Sequence, residues 1–253
     1  MLFDTVIIGP IHSRRLGRSL GVNLLHQTAK ICSFNCIYCE CGWNFRAESH
    51  QPKRDEVRSA LEAKMIELTS ANQGIDVITF AGNGEPTTHP EFPEIIDDTI
   101  ALRDKYFPEA KVSVLSNATM VWKTEVRDAL LKVDNNIQKL DSAFDETVQI
   151  INQPCGKYSV DKVVENLSLF KGKVIVQTMF LRGEYNGKKI DNTTDKEVCA
   201  WLEALKKIKP SEVMLYSLDR VPPVDTLIKV EYDELKIIAD KVEELGFKTL
   251  VTK

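Results

Sequence analysis

No stretch of this chain is apolar over the roughly 18–20 residues that a membrane-spanning helix requires. That absence excludes an α-helical membrane protein. Positive charge is not in excess either: 33 Lys and Arg face 37 Asp and Glu, for a formal net charge of −4. That balance argues against a strongly basic nucleic-acid-binding surface, although it does not exclude a local basic patch. Histidine is scarce, with four residues scattered along the chain, and Cys36-x-x-Cys39 has no second Cys-x-x-Cys pair to match it. The usual layout of a structural zinc site is therefore missing. Export is not expected either. Ser13-Arg14-Arg15-Leu16 has the look of a twin-arginine export signal, but the segment Ser19–His26 after it is short, broken by Asn23, and without a small-residue cleavage site. A cytoplasmic location is expected.

What is present is an ordinary globular composition, 43% hydrophobic and 28% charged over 253 residues, enough for a sizeable core. Short runs rich in Val, Ile and Phe read as strands at Ser19–Leu25, Ile75–Phe80, Lys111–Ser116, Asn136–Asp141, Lys173–Phe180, Glu212–Ser217 and Lys248–Val251. Helical stripes lie between them: Val57, Leu61, Met65 and Leu68; then Val198, Trp201, Leu202, Leu205 and Ile208 behind a Thr194-x-x-Glu197 capping signature; then Leu235, Ile238, Val242 and Leu245 before Gly246. Strand–helix alternation requires crossovers, hence an α/β fold with a mainly parallel sheet and outer helices. A partial (β/α)6 barrel suits the length, and a doubly wound open sheet is the competitor. One domain over 1–253 is expected, with residues 1–18 on or near the barrel mouth and a strand–helix extension over about 218–253.

Four of the six cysteines crowd into Cys32-Ser-Phe-Asn-Cys36-Ile-Tyr38-Cys39-Glu40-Cys41, just after the first strand. Secreted scaffolds spread their cysteines to staple distant loops, so this clustering reads as metal binding in a reducing compartment. Thiolates are the usual ligands of iron–sulfur clusters, and a spacing of three residues and then two brings three of them onto three corners of a cubane, leaving one iron open. Zinc held by Cys32, Cys36, Cys39 and Cys41 is the plainer alternative.

The pattern Cys32-x-x-x-Cys36-x-Tyr38-Cys39 resembles the defining motif of the radical S-adenosylmethionine superfamily. The resemblance implies a 4Fe–4S cluster on Cys32, Cys36 and Cys39, with S-adenosylmethionine bound at its open iron and Tyr38 beside the adenine. It implies reductive cleavage of that cofactor to a 5′-deoxyadenosyl radical, fed by an electron donor such as flavodoxin or ferredoxin. Phe80-Ala-Gly82-Asn-Gly84-Glu85-Pro86 resembles the superfamily's Gly-Gly-Glu-Pro element, which makes Gly82, Gly84 and Glu85 cofactor-binding candidates. Asn117, at the end of the third strand, occupies the place of a short Asn-containing segment near the cofactor. Lys139 and Asp141 are two apart in the fourth strand and share a face, as partners of the cofactor or of each other. Gln177, polar inside an apolar run, is a cofactor contact or a core hydrogen-bonding group.

The opening Gly9-Pro-Ile-His-Ser-Arg14-Arg15-Leu-Gly-Arg18-Ser-Leu-Gly-Val22 resembles radical enzymes grouped with the tRNA wyosine synthases, as do Lys139-Leu-Asp-Ser-Ala, Gln177-Thr-Met-Phe-Leu-Arg-Gly183 and Leu218-Asp-Arg220-Val-Pro-Pro223. Arg14, Arg15, Arg18 and Arg220 are then candidates for an anionic substrate group. No cysteine precedes Cys32, and Cys41, Cys155 and Cys199 form no second motif, so the resemblance gives a subgroup and not an activity. The substrate classes left open are an RNA base, a peptide and a small molecule. An activase that places a radical on a partner protein and a non-catalytic zinc-stabilised module are the rival functions.

Overall fold

The structure, a computed structural model, describes residues 2–13 and 15–252. The chain divides into two compact units: Met1–Cys32, Asn44–Ser116 and Trp122–Asn136 form one, and Ser33–Trp43, Asn117–Val121 and Ile137–Lys253 the other.

In the first unit β1 (Ile7–Ser13) runs antiparallel to β2 (Gly17–Val22). Helix α1 (Arg54–Ser70) leads to β3 (Val77–Phe80), which pairs in parallel with β2 from Ser19↔Val77 to Val22↔Phe80. Helix α2 (Phe92–Tyr106) then crosses to β4 (Lys111–Ser116), parallel to β3, and α3 (Thr124–Leu130) follows. All four residues of β3 are buried, as expected of a strand covered on both faces. Helix α1 buries Val57, Leu61, Met65 and Leu68, the stripe read from spacing. Its Arg54 and Arg58 both bind the Asp98 carboxylate of α2, at 2.6 and 2.8 Å. The expected strand Ser19–Leu25 ends early, at Val22. Asn23 breaks it by turning its side chain back, so that its Oδ1 accepts from Leu25 N and Asn83 N, both at 3.2 Å.

The second unit holds the residues of β5 (Asn135–Lys139) from Ile137 onward, then α4 (Asp145–Ile151), α5 (Val160–Ser168) and β6 (Ile175–Met179). A hairpin of β7 (Leu181–Tyr185) and β8 (Lys188–Asp191) comes next, followed by α6 (Asp195–Ile208) and β9 (Glu212–Tyr216). The two-residue β10 (Ile228–Lys229), α7 (Tyr232–Glu244) and β11 (Lys248–Val251) complete it. β6 lies in parallel between β5 and β9, and β11 adds in parallel to β9. β10, β7 and β8 form a separate antiparallel sheet. Trp201 of α6 donates from Nε1 to Thr178 Oγ1 at 3.1 Å, which fixes the helix-covered face of β6. Gln177 and Met179 alternate to the opposite face.

The capping box expected at Thr194 forms in one direction. Thr194 accepts from Glu197 N, while the Glu197 carboxylate accepts from Ser142 Oγ at 2.7 Å and Thr147 Oγ1 at 2.6 Å. Helix α7 stops where expected, with Gly246 at φ +86° and its N–H donated to Glu243 O. Among the described residues no helix is long and apolar enough to cross a membrane.

Candidate cofactor site

The cysteine segment is an irregular loop, so its shape comes from bonds to its surroundings. Asn35 N donates to Asn152 O at 2.9 Å, Ile37 N to Ile151 O at 3.0 Å, and Cys155 N to Ser33 O at 2.8 Å, which fastens the loop along the end of α4. Within it Cys39 N donates to Cys36 O at 3.2 Å and Gly42 N to Cys39 O at 2.8 Å. The first turn spans Cys36 and Cys39. The second, with Gly42 at φ +78°, carries the chain away through Cys41.

Beside this loop lies a buried polar network. Tyr38, 7% exposed, donates its hydroxyl proton to Asp141 Oδ2. Asp141 Oδ1 accepts from Met179 N at 2.9 Å. Lys139 Nζ is 3.6 Å from Asp141 Oδ1, donates to Tyr216 OH at 2.9 Å, and lies over the rings of Tyr38 and Tyr216 at 5.2 and 5.5 Å. Burial by itself would lower the Lys139 ammonium; Asp141 and Tyr216 outweigh it, and the pKa is raised. Burial first, and then Asp141, raise Tyr38, which stays a neutral donor. Burial also pushes the Cys36 thiol up to about 11. Asn152 closes the network, with Nδ2 2.7 Å from Asp141 Oδ2, 3.1 Å from Tyr38 OH and 3.5 Å from Cys36 Sγ.

Gln177 pairs in register with Lys139, so both project from the same face. It is 6% exposed, and its buried Oε1 has no hydrogen-bond partner among the described residues. Asn117 bonds to Ser33 Oγ at 2.8 Å and, through Oδ1, accepts from Thr119 N at 3.0 Å, which places it against the residue after Cys32.

In the first unit Gly84 forms a bridge with Ile31, the residue before Cys32. Its φ is +151°, and a Cβ there would meet Ile31 O at 2.4 Å. At Gly82 an added Cβ would meet Asn23 Oδ1 at 2.2 Å. Asn83 between them is fully buried and ties the segment down, donating to Phe3 O at 2.7 Å and His26 O at 2.8 Å. Glu85 is buried too, and its Oε1 accepts from Thr87 N at 3.1 Å and from the Thr87 hydroxyl, capping the turn at Pro86–Thr88.

Arg14 lies outside the described residues. Arg15 is half-buried after β1, and Arg18 is exposed on β2 with its main-chain N held by Asp76 Oδ2 at 2.6 Å. Arg220 pairs at 2.8 Å with Glu40, the residue after Cys39, and both are exposed. Asn152 and Tyr216 were missed in the sequence. Tyr216 could have been found as a polar aromatic two residues past Met214 at a strand end; Asn152, one residue beyond a helix, carries no local signal.

Among the described residues no three His, Cys, Asp or Glu side chains are gathered as in a preformed metal site. The chemistry of the donors nevertheless suits an iron–sulfur cluster: three cysteines lie on one loop, and Asn152 stands ready to donate to the Cys36 sulfur. The Gln177 oxygen, without a hydrogen-bond partner among the described residues, suits a polar organic cofactor.

Comparison with known proteins agrees with this chemistry. The Radical SAM superfamily profile matches residues 27–196. A UPF0026 protein of Methanocaldococcus jannaschii is 30% identical over 254 residues, covering 96% of this chain and 73% of that protein. A second UPF0026 protein, from Synechocystis, is 31% identical over 226 residues, covering 86% and 77%. Among solved structures, a radical SAM methyltransferase from Sphaerobacter thermophilus matches with a TM-score of 0.67 at 14% identity, covering 92% of this chain, which spans 65% of that one. Archaeal TYW1 matches with a TM-score of 0.54 at 14% identity, covering 90% of this chain and 72% of that one. These likenesses show the fold: α/β, mainly parallel, with flanking helices and the partial-barrel core of radical SAM proteins.

Proposed function

The chain belongs to the radical SAM superfamily and to the UPF0026 family, with a 4Fe–4S cluster and S-adenosylmethionine as cofactors, and on that premise we propose a site for both. Cys32, Cys36 and Cys39 hold the cluster, and Tyr38, Lys139 and Gln177 receive S-adenosylmethionine. When bound, these cofactors supply a 5′-deoxyadenosyl radical that abstracts hydrogen from substrate. The observation that carries the assignment is Gln177, a buried amide with a partnerless oxygen on the face that also bears Lys139.

The chain's own residues orient and exclude. Lys139 stays protonated because Asp141 and Tyr216 outweigh its burial, so it offers a fixed positive charge to a carboxylate. Asp141 spends both oxygens on Tyr38, Asn152 and Met179 N, and acts by holding Tyr38 and Lys139 in place instead of contacting ribose itself. The Tyr38 ring, pinned through its hydroxyl, presents a flat apolar wall.

As substrate class we propose an RNA base, with flavodoxin or ferredoxin as electron donor. The resemblance of residues 9–22 to the wyosine synthase group supports it. So does a 340 Å3 cleft lined by Gln149, Ile150, Gln153, Pro154, Tyr185, Asn186 and Lys188, residue types that suit a base edge, a stacking surface and a phosphate. The test is anaerobic 5′-deoxyadenosine release from cluster-loaded protein with mixed tRNA, short peptides or neither. Stimulation by tRNA alone supports the reading; stimulation by peptides alone replaces it with a peptide substrate.

A further inference from the structure

We propose that Asn152 is a positioning residue whose side-chain N–H, donated to the Cys36 sulfur, raises the reduction potential of the cluster; the proposal rests on cluster ligation by Cys36. Asn152 is 1% exposed, one residue past α4. Its Nδ2 has three neighbours: Asp141 Oδ2 at 2.7 Å, Tyr38 OH at 3.1 Å and Cys36 Sγ at 3.5 Å. Each accepts. The carboxylate has no proton to give, Tyr38 has spent its one proton on Asp141, and a cluster-bound sulfur is a thiolate. The nitrogen face of the amide is therefore the one that fits. Asp141, the nearest acceptor, takes one N–H and leaves the other for the phenol oxygen and the sulfur.

The geometry is held from two sides. Asn152 O accepts from Asn35 N at 2.9 Å, which ties the main chain to the residue before Cys36, while Asp141 fixes the amide's orientation. No reorganisation is needed when the charge on sulfur changes. Reduction adds one electron from an external low-potential reductant, with no bond formed or broken. It increases the negative charge on the thiolates, and an N–H···S bond strengthens with that charge. A donor that gains strength on reduction favours the reduced state, and burial enlarges the effect.

The experiment is a potentiometric titration of the reduced-cluster EPR signal in wild type, Asn152→Ala and Asn152→Ser, all reconstituted anaerobically with iron and sulfide. Asn152→Ala should move the midpoint to a more negative potential, and Asn152→Ser, which keeps a short donor, should move it less. A purely packing role changes cluster content or line shape and leaves the midpoint in place. Asn152→Ala that loads fully with an unchanged midpoint overturns the proposal. Where that variant fails to load, the decision passes to wild-type protein labelled with 15N at asparagine side-chain amides: a 15N coupling to the reduced cluster in pulsed EPR supports the bond, and its absence overturns it. A wild type that takes up no iron overturns Cys36 ligation itself and is recognised by metal analysis.

Discussion

Gln177 carries a cost that its neighbours in β6 do not. A buried carbonyl oxygen without a partner costs about 1–3 kcal/mol relative to a satisfied one, and an apolar group of similar shape removes the deficit. Gln177→Leu should therefore leave the apoprotein as stable or more stable in urea, while weakening S-adenosylmethionine binding about tenfold, the worth of one hydrogen bond. A variant that binds the cofactor normally would make Gln177 a core residue only. At this scale the sequence was legible where type and spacing coincide. Lys139 and Asp141 were expected on one face, as cofactor partners or as a pair, and Lys139 Nζ lies 3.6 Å from Asp141 Oδ1. Glu85 was expected at the cofactor and is found capping its own turn through Oε1. The role of Asn152 was not legible, because nothing local marks a residue whose three partners lie 11 to 116 positions away.

The elements were read by burial. Strands with both faces covered are runs of Val, Ile and Phe, so all seven expected strands are present, two with the expected bounds and five with ends one to three residues away from them. β1 was missed because Gly9 and Pro10 interrupt it at a bulge between Ile8 and Ile11, and β8 because it is short and its two lysines are exposed. Two consequences follow for the first unit. Gly84→Ala drives a Cβ to 2.4 Å from Ile31 O and should cost about 1–3 kcal/mol or more in urea unfolding, whereas Gly156→Ala, with nothing within 4 Å, should be nearly silent. Equal midpoints would mean that the Ile31–Gly84 bridge is not held tightly. The second consequence is a pH dependence at the α1–α2 contact. Hydrogen bonding by Arg54 holds the Asp98 carboxyl below its ordinary value, which is about 4 in the unfolded chain. A depressed carboxyl stabilises fully above the unfolded value and loses that contribution as pH falls through the folded one. Asp98→Asn should thus be less stable than wild type at neutral pH, with the difference closing below about pH 4. A difference that persists in acid would assign the effect to packing.

For the whole molecule, the fold was legible in the alternation of strand and helix patterns, and the cofactors and reaction class in the resemblance of Cys32-x-x-x-Cys36-x-Tyr38-Cys39 to the radical S-adenosylmethionine motif. The substrate was not legible in the same way, since it is recognised by side chains contributed from scattered loops. What the chain holds also depends on which thiols take part, and Cys41 decides that. A fourth thiolate would occupy the iron that the amino and carboxylate groups of S-adenosylmethionine require, leaving an electron carrier or a structural site. The path of the chain sets Cys41 apart from the three expected ligands. Cys39 N donates to Cys36 O and closes a turn that spans two of them, whereas Cys41 lies inside the next turn, closed by Gly42 N to Cys39 O. Its half-buried thiol is then a spectator. Cys39→Ser and Cys41→Ser, reconstituted anaerobically in parallel, should behave oppositely. Cys39→Ser should lose the four-iron cluster and 5′-deoxyadenosine formation together, and Cys41→Ser should keep both near wild-type levels. Should Cys41→Ser lose its iron as completely as Cys39→Ser, the open coordination position is gone, and with it the binding mode proposed for the cofactor.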